Sequence, residues 1–329
     1  MGIVYWGYAL DACDAFGRLR AWPTTRETCW HFAISFTRED ACRDYLIQLR
    51  WPQGLTCPKC AGRQFWKMGR GVFCCQGCQR HVSITAGTLF ADTHKPLRLW
   101  FEALWHVTNQ KYGASALGMQ RILGLGSYHT AWHWLHKLRR AMVRPGRDRL
   151  AGTVEVDETF IGGERPGKRG RGAAGKTLVV IAAQAVDTKI GRIRLARVAS
   201  ASGNHLEAAV RQAVEPGSTV RTDGWVGYNG LNGLGYEHEV IRSTPAVGEN
   251  LLPLAHRVAA LLKRWLLGTH QGAVQPEHLD YYLDEFTFRF NRRTSGSRGL
   301  LFYRLLDQAV HLPPVLTRTL KGGAAHTPQ

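Results

Sequence analysis

The chain has 329 residues, with 43 Lys+Arg against 25 Asp+Glu and a formal net charge of +18. That length exceeds what one hydrophobic core ordinarily spans, so two or three domains are expected. The positive excess recurs along the whole chain and calls for a polyanionic partner, nucleic acid before a membrane surface. No apolar run approaches the ~20 residues of a membrane span, and the amino terminus lacks the cationic start and clean apolar core of a signal peptide. A cytoplasmic, nucleoid-associated location is therefore expected. Eight cysteines in so large and basic a chain favour metal binding over a disulfide framework.

Four of the cysteines form two pairs, Cys57-Pro-Lys-Cys60 and Cys75-Gln-Gly-Cys78, with 14 residues between them. Each C-x-x-C turns two thiolates toward one tetrahedral ion. Two such knuckles on opposing hairpins close a four-thiolate zinc site that has no open position and so a structural role. A redox dithiol is the competing reading, which two pairs in register disfavour. Cys74 adjoins Cys75 but makes no C-x-x-C of its own, and Cys13, Cys29 and Cys42 show no ligand spacing. Between the knuckles Arg63, Lys67 and Arg70 alternate with Phe65, Trp66 and Phe73. That surface suits a nucleic-acid backbone, though a solvated hairpin face has the same pattern.

Helical periodicity follows. Leu97, Trp100, Phe101, Leu104 and Trp105 mark one face of a first helix, and a second runs over about 114–122. Leu123-Gly124-Leu125-Gly126 breaks it, and Ser127 is placed to cap a third helix through about Met142. Helix, short glycine turn and helix form the helix-turn-helix pattern. The third helix sets His129, His133, His136, Lys137, Arg139 and Arg140 beside Ala131, Trp132, Leu135 and Leu138. It reads either as a groove-binding helix or as a packed helix with a solvated basic face. His129, His133, Lys137 and Arg140 are its candidate DNA contacts.

Past Arg144 the pattern becomes α/β. Strands are predicted over 153–161, 177–186, 192–198 and 219–222, with helices over 203–214 and 254–267. Asp157 lies in T-V-E-V-D-E-T-F-I-G-G on the first strand, and Asp223 ends the fourth in S-T-V-R-T-D-G-W. Two aspartates on neighbouring strands supply the hard oxygen ligands of a Mg²⁺ site for phosphoryl transfer; ordinary strand-end acids are the plain alternative. The segment Gly170–Thr177 reads G-R-G-A-A-G-K-T, matching the P-loop pattern. Yet L-V-V-I-A-A-Q-A-V follows as a strand where a P-loop needs a helix. Lys168, Arg169 and Arg171 are better read as part of a basic loop on DNA phosphates.

Taken together these residues resemble one family, the IS1595 group of insertion-sequence transposases with an ISXO2-like, DDE-type catalytic domain. The resemblance rests on R-W-P-x-G-x-x-C-P-x-C at 50–60, C-x-x-C…G-T at 75–88 and L-G-x-x-S-Y-x-T-A-W at 123–132. It continues in V-E-V-D-E-T-F-I-G-G, in T-D-G-W-x-G-Y at 222–228, in L-L-K-R-W-L-L-G-T-H at 261–270 and in H-L-x-Y-Y-L-D-E-F-x-F-R-F-N-R-R at 278–293. It spans about residues 30–305 and implies a multidomain α/β chain. A leading helical segment (30–52) precedes a zinc ribbon (53–90) and a helix-turn-helix region (91–146). A ribonuclease H-like mixed-sheet domain (150–305) and a tail (306–329) follow, and residues 1–29 stand as an unassigned extension.

The resemblance further implies two metal ions, Mg²⁺ or Mn²⁺, held by Asp157, Asp223 and a third ligand at the position of His256, with Glu249 as a possible substitute. Imidazole in that place favours Mn²⁺ relative to Mg²⁺. Lys263, two turns beyond His256, becomes a phosphate contact, and Arg289, Asn291, Arg292 and Arg293 are either backbone contacts or a packed, charged helix end. The implied partners are the element's terminal inverted repeats, target DNA and further copies of the chain in a synaptic complex. A catalytically inactive, DNA-binding relic or repressor is the alternative, and a nuclease on RNA–DNA hybrids is a third reading.

Overall fold

The computed structural model describes residues 32–33, 35–144, 146–162, 176–244, 250–272 and 274–315. A first helix, α1 (Glu39–Arg50), leads into a small antiparallel sheet of β1 (Phe65–Gly69), β2 (Val72–Cys75) and β3 (His81–Ser83). Arg50, in the last turn of α1, donates to the carbonyls of Ser83 at 2.9 Å and Ile84 at 2.8 Å, fastening the helix to the ribbon. Trp66 is half exposed on β1, so an aromatic ring does face solvent beside Lys67.

The helical part is built from α2 (Leu97–Asn109), α3 (Ala116–Ile122), α4 (Tyr128–Ala141) and α8 (Arg298–His311) around α1. Leu97, Trp100, Phe101, Leu104 and Trp105 all bury on α2, as their i, i+3, i+4 spacing requires. Trp100 stacks on Trp134 of α4 with ring centroids 3.8 Å apart. Ser115 caps α3 by accepting from the Gly118 amide at 3.0 Å. Ser127, expected to cap α4, holds the N-cap position but its side chain makes no cap bond.

The packing corrects two further expectations. On α4, His136 and Arg139 are not part of a solvated basic face: they are 0% and 2% exposed. Arg139 Nε donates at 2.7 Å to Glu285, itself fully buried on α7 (Leu279–Asn291), and the guanidinium lies 4.1 Å over the Tyr282 ring. The pair lets α4 pack inward on a face that charge alone would send to water. In addition, the expected boundary at residue 305 falls inside α8, whose Phe302, Leu305, Leu306, Ala309 and Val310 fill the core of α1 and α2.

The second layer is a five-stranded mixed sheet in the order β6-β5-β4-β7-β8. Its strands are β4 (Thr153–Ile161), β5 (Thr177–Val186), β6 (Lys189–Val198), β7 (Thr219–Thr222) and β8 (Glu237–Val240). The first three form an antiparallel meander, whereas β4–β7 and β7–β8 pair parallel. This is the ribonuclease H-like arrangement. The strand β5 reads as a nearly continuous apolar run because both of its faces are covered. On one side lie α6 (Pro253–His270) and α7, on the other α5 (Gly203–Ala213) and a 3-10 helix (Val226–Leu234). Asn291, at the end of α7, donates to Ile193 O and accepts from Ile193 N at 2.7 Å, so its amide occupies the open edge of β6. Arg293 donates to the carbonyls of Ile190 and Gly191. These two residues, with Arg289, form a packed helix end. Thr177 opens a strand, which removes the helix a P-loop would need; residues 163–175, with Lys168, Arg169 and Arg171, lie outside the described residues.

Candidate active site

Among the described residues the cysteine cluster is the one group of His, Cys, Asp or Glu side chains gathered closely enough to hold a metal ion. Cys57, Cys60, Cys75 and Cys78 bring their Sγ atoms within 4.8 Å of one another, with Cys57–Cys78 and Cys60–Cys75 both at 3.5 Å. A tetrahedral Zn²⁺ with bonds near 2.3 Å needs sulfurs about 3.8 Å apart, so the four thiols fit zinc. Burial opposes the Cys57 thiolate, but the Lys59 and Cys60 amides hold its pKa down to about 6. Cys60 moves the other way: the Gly62 amide favours its thiolate while Cys78 and Cys75 push it up to about 12, so without a metal the four thiols share the charge unequally. Cys74 turns toward Gln79 Oε1 at 3.5 Å and stays outside the cluster. Cys42 is fully buried in the helical core, its thiol pushed up to about 12 by that burial.

The two candidate aspartates lie in the middle of β4 and just past the carboxyl end of β7. The parallel register of these strands ends with Glu155 opposite Arg221; Asp157 comes two residues further along β4, and Asp223 directly follows the last residue of β7. The chain turns directly after Asp223, whose Oδ1 accepts from the Trp225 amide at 3.0 Å. Gly224 takes φ +82°, and a Cβ there would lie 2.7 Å from Val240 Cγ1, so this turn requires glycine.

Asp157 faces α6. Its pKa is pushed up from the ordinary 3.8 to about 6, first by burial and then by the neighbouring charges of Glu158 and Asp223. The Glu158 amide, at 2.8 Å from Oδ1, pulls the other way, as does His256. His256 Nε2 stands 3.3 Å from Asp157 Oδ2. The opposite ring nitrogen, Nδ1, lies 2.6 Å from Asn250 Oδ1; where Nδ1–H donates to that oxygen in a neutral ring, Nε2 presents its lone pair to the carboxylate. A lone pair aimed at a carboxylate is stable only with a positive charge between them, a proton or a metal ion. Asp157 and His256 thus form one close pair of donors, whereas Asp223, just past the end of β7, is not gathered with them as the four cysteines are with one another.

Two supports were not readable in the sequence as supports. Glu155 is 6% exposed and accepts from the Leu254 amide at 2.7 Å and the Ala255 amide at 3.0 Å, so its carboxylate caps the start of α6 immediately before His256. Tyr228, fully buried, donates its hydroxyl to Glu158 Oε2 at 2.8 Å. The only available signals were an extra acid beside Asp157 and the presence of Tyr228 in T-D-G-W-x-G-Y. Glu249 falls outside the described residues.

Comparison with known proteins decides the family. Residues 149–291 match the ISXO2-like transposase domain of the IS1595 group, and residues 37–81 match the transposase zinc-ribbon domain. The chain belongs to this transposase family. An uncharacterized protein in transposable element ISH50 of Halobacterium salinarum is 26% identical over 276 residues, covering 78% of this chain and 92% of that protein. A chain in the cryo-EM structure of the simian T-cell lymphotropic virus intasome with PP2A regulatory subunit B56 gamma aligns at 14% identity and a TM-score of 0.31. The alignment covers 56% of this chain and 70% of that one, too loose a likeness to carry an argument.

The remaining candidate residues distribute unevenly over the transposase fold. Lys263 is exposed on α6, seven residues from His256. On α4 His129 is exposed, while His133, Lys137 and Arg140 are half-buried, and burial lowers the Lys137 pKa. The solvent-facing part of α4 is thus its first turn, with Tyr128 at 47% exposure, and the neighbouring α3 adds Ile122 at 60%. Among the described residues no helix is long and apolar enough to cross a membrane.

Proposed function

We propose that this chain is a DDE-type recombinase that cuts and joins insertion-sequence ends by metal-dependent phosphoryl transfer. The observation that carries the reading is the 3.3 Å approach of His256 Nε2 to Asp157 Oδ2, beside Asp223 and with Nδ1 already engaged by Asn250. Asp157, Asp223 and His256 would hold Mg²⁺ or Mn²⁺. Such ions supply activation of an attacking water or DNA 3′-hydroxyl and neutralise charge on the phosphodiester. The other residues keep these ligands in place. Asn250 fixes the imidazole tautomer, Glu155 anchors the start of α6, and Tyr228 restrains Glu158 next to Asp157. Lys263 is within the span of the same helix to meet a phosphate flanking the reacting one.

Affinity for DNA would come from the ribbon surface around Trp66 and Lys67, from the first turn of α4 with His129, and from the basic segment containing Lys168, Arg169 and Arg171. His133, Lys137 and Arg140 would add to it only where their half-buried side chains reach the surface. Synapsis of two element ends requires more than one copy of the chain. The test is strand transfer from a pre-cleaved repeat-end duplex with Mg²⁺ or Mn²⁺. Joined product should form with the unaltered protein and fall to background with Asp157→Ala or Asp223→Ala, while duplex binding persists. Joining by Asp157→Ala would sink the proposal. Specific binding without joining by any form would favour the repressor-like relic.

A further inference from the structure

Six arginines meet in a cleft of about 490 Å³ where the end of α4, the outer strand β6, the end of α7 and α8 come together. Arg144 and Arg147 follow α4, Arg192 and Arg194 lie on β6, Arg292 follows α7, and Arg304 projects from α8. Three carboxylates, Asp148, Asp284 and Asp307, share the lining, which leaves an excess of three positive charges. Asp148 is already engaged, at 3.6 Å from Arg144 and 3.8 Å from Arg192, and Asp307 lies 3.7 Å from His311.

Among the described residues the innermost guanidiniums, Arg194 and Arg292, have no carboxylate oxygen within 4.0 Å. Arg194 is 7% exposed, and its donors go to the main-chain carbonyls of Ile193, at 3.0 Å, and Asp148. Arg292 lies 4.1 Å over the Phe288 ring and donates Nη1 to Phe288 O at 3.3 Å; its buried Nε has no hydrogen-bond partner among the described residues. Burying a guanidinium without a counter-charge is costly, and the groups also repel one another. Burial first, then Arg147 and Arg192, bring Arg194 down to about 10. Burial, then Arg304 and Arg144, lower Arg292. A multi-oxygen anion would relieve both penalties at once, because guanidinium forks match phosphate oxygens two at a time.

We propose that this cleft holds a backbone phosphate of DNA, at a place separate from the Asp157 and Asp223 pair. The proposal rests on the reading of the chain as a DNA recombinase. Arg194 pairs in register with Ala182, which pairs with Val156, so Arg194 lies two strands from β4 and on the opposite sheet face from Asp157. The phosphate in the cleft is therefore not the one that reacts. It serves as a second anchor that fixes the path of the duplex past the helical layer.

The test uses the full chain and the double variant Arg147→Gln with Arg304→Gln, two side chains that reach the cleft from its rim. Circular dichroism melting establishes that the variant folds. Binding to a duplex of about 30 base pairs, followed over a salt series, should weaken at least about fivefold, and the slope of log K against log salt should drop by about one to two. Unchanged duplex affinity and slope would overturn the proposal. So would stabilisation by inorganic phosphate that the variant loses while duplex binding stays intact, since the site would then serve a free anion. Asp157→Asn, run in parallel, should keep full duplex affinity and join no ends. Joining by that variant would fail the catalytic reading and leave the cleft result standing.

Discussion

At neutral pH and without a metal, Asp157 is a residue the fold holds at a cost. Its folded pKa of about 6 exceeds the ordinary 3.8, so between those values the folded chain binds a proton that the unfolded chain has released. Stability is therefore greatest below 3.8 with respect to this group, and it falls as pH rises through about 6. Asp157→Asn removes the charge, and the metal-free protein should melt higher at about pH 7.5 by the equivalent of up to about 3 kcal/mol. At about pH 4 the gain should shrink toward nothing, which melting curves at both pH values would show. Metal affinity has the complementary dependence. An ion must displace that proton, so apparent affinity should fall about tenfold per unit as pH drops below about 6, as calorimetry would register. The two aspartates were legible in the sequence because Asp157 sits inside a β-branched run that stops at Gly162, and Asp223 ends another run directly before Gly224. The positioning groups were not, since Glu155 meets Ala255 across 100 residues and Asn250 reaches His256 only through the local path of the chain.

At the scale of elements, the link between the helical layer and the catalytic sheet is the buried triad of Arg139 on α4 with Glu285 and Arg289 on α7. Burial opposes the Glu285 charge, yet Arg139 and Arg289 hold its carboxyl down to about 2. Arg289 reaches across to the carbonyls of Val107 and Gln110 at the end of α2. Removing one partner leaves a buried charge, so Arg139→Met should destabilise by about 3–5 kcal/mol in denaturant melts. Arg139→Met with Glu285→Leu should recover part of that loss. Sequence periodicity found α4 and its apolar stripe, but it could not find that Arg139 points inward, because its partner lies 146 residues away. The α2 face was legible for the opposite reason: its apolar spacing is complete within one helix and needs no remote partner. Glu155 has a comparable role at α6. Glu155→Gln keeps the shape but weakens the cap, so it should lower joining more than it lowers stability, a split that parallel rate and melting measurements would reveal.

Across the whole molecule, chain order and spatial order part company once. The order of β4 to β7 follows from the sequence of strand, strand, strand, helix, strand, and the zinc knuckles from spacing alone; the edge strand β8, Glu237–Val240, lies outside the strands expected from the sequence. The last helix, α8, returns to the amino-terminal core instead of extending the sheet domain, and nothing in its own periodicity says which core it fills. Zinc removal should consequently loosen the ribbon around residues 57–78, with hydrogen exchange rising there and across the Arg50 contacts to Ser83 and Ile84, while β4 and β5 stay protected. The central claim is that Asp157, Asp223 and His256 form one metal site. Its most direct test is Mn²⁺ titration by calorimetry at about pH 7.5 into zinc-loaded protein and into Asp157→Asn, Asp223→Asn, His256→Ala and Glu249→Gln. Each of the first three variants should bind at least about tenfold more weakly, and Glu249→Gln should bind as the unaltered chain does. Full Mn²⁺ affinity in His256→Ala, with loss in Glu249→Gln, would contradict the account.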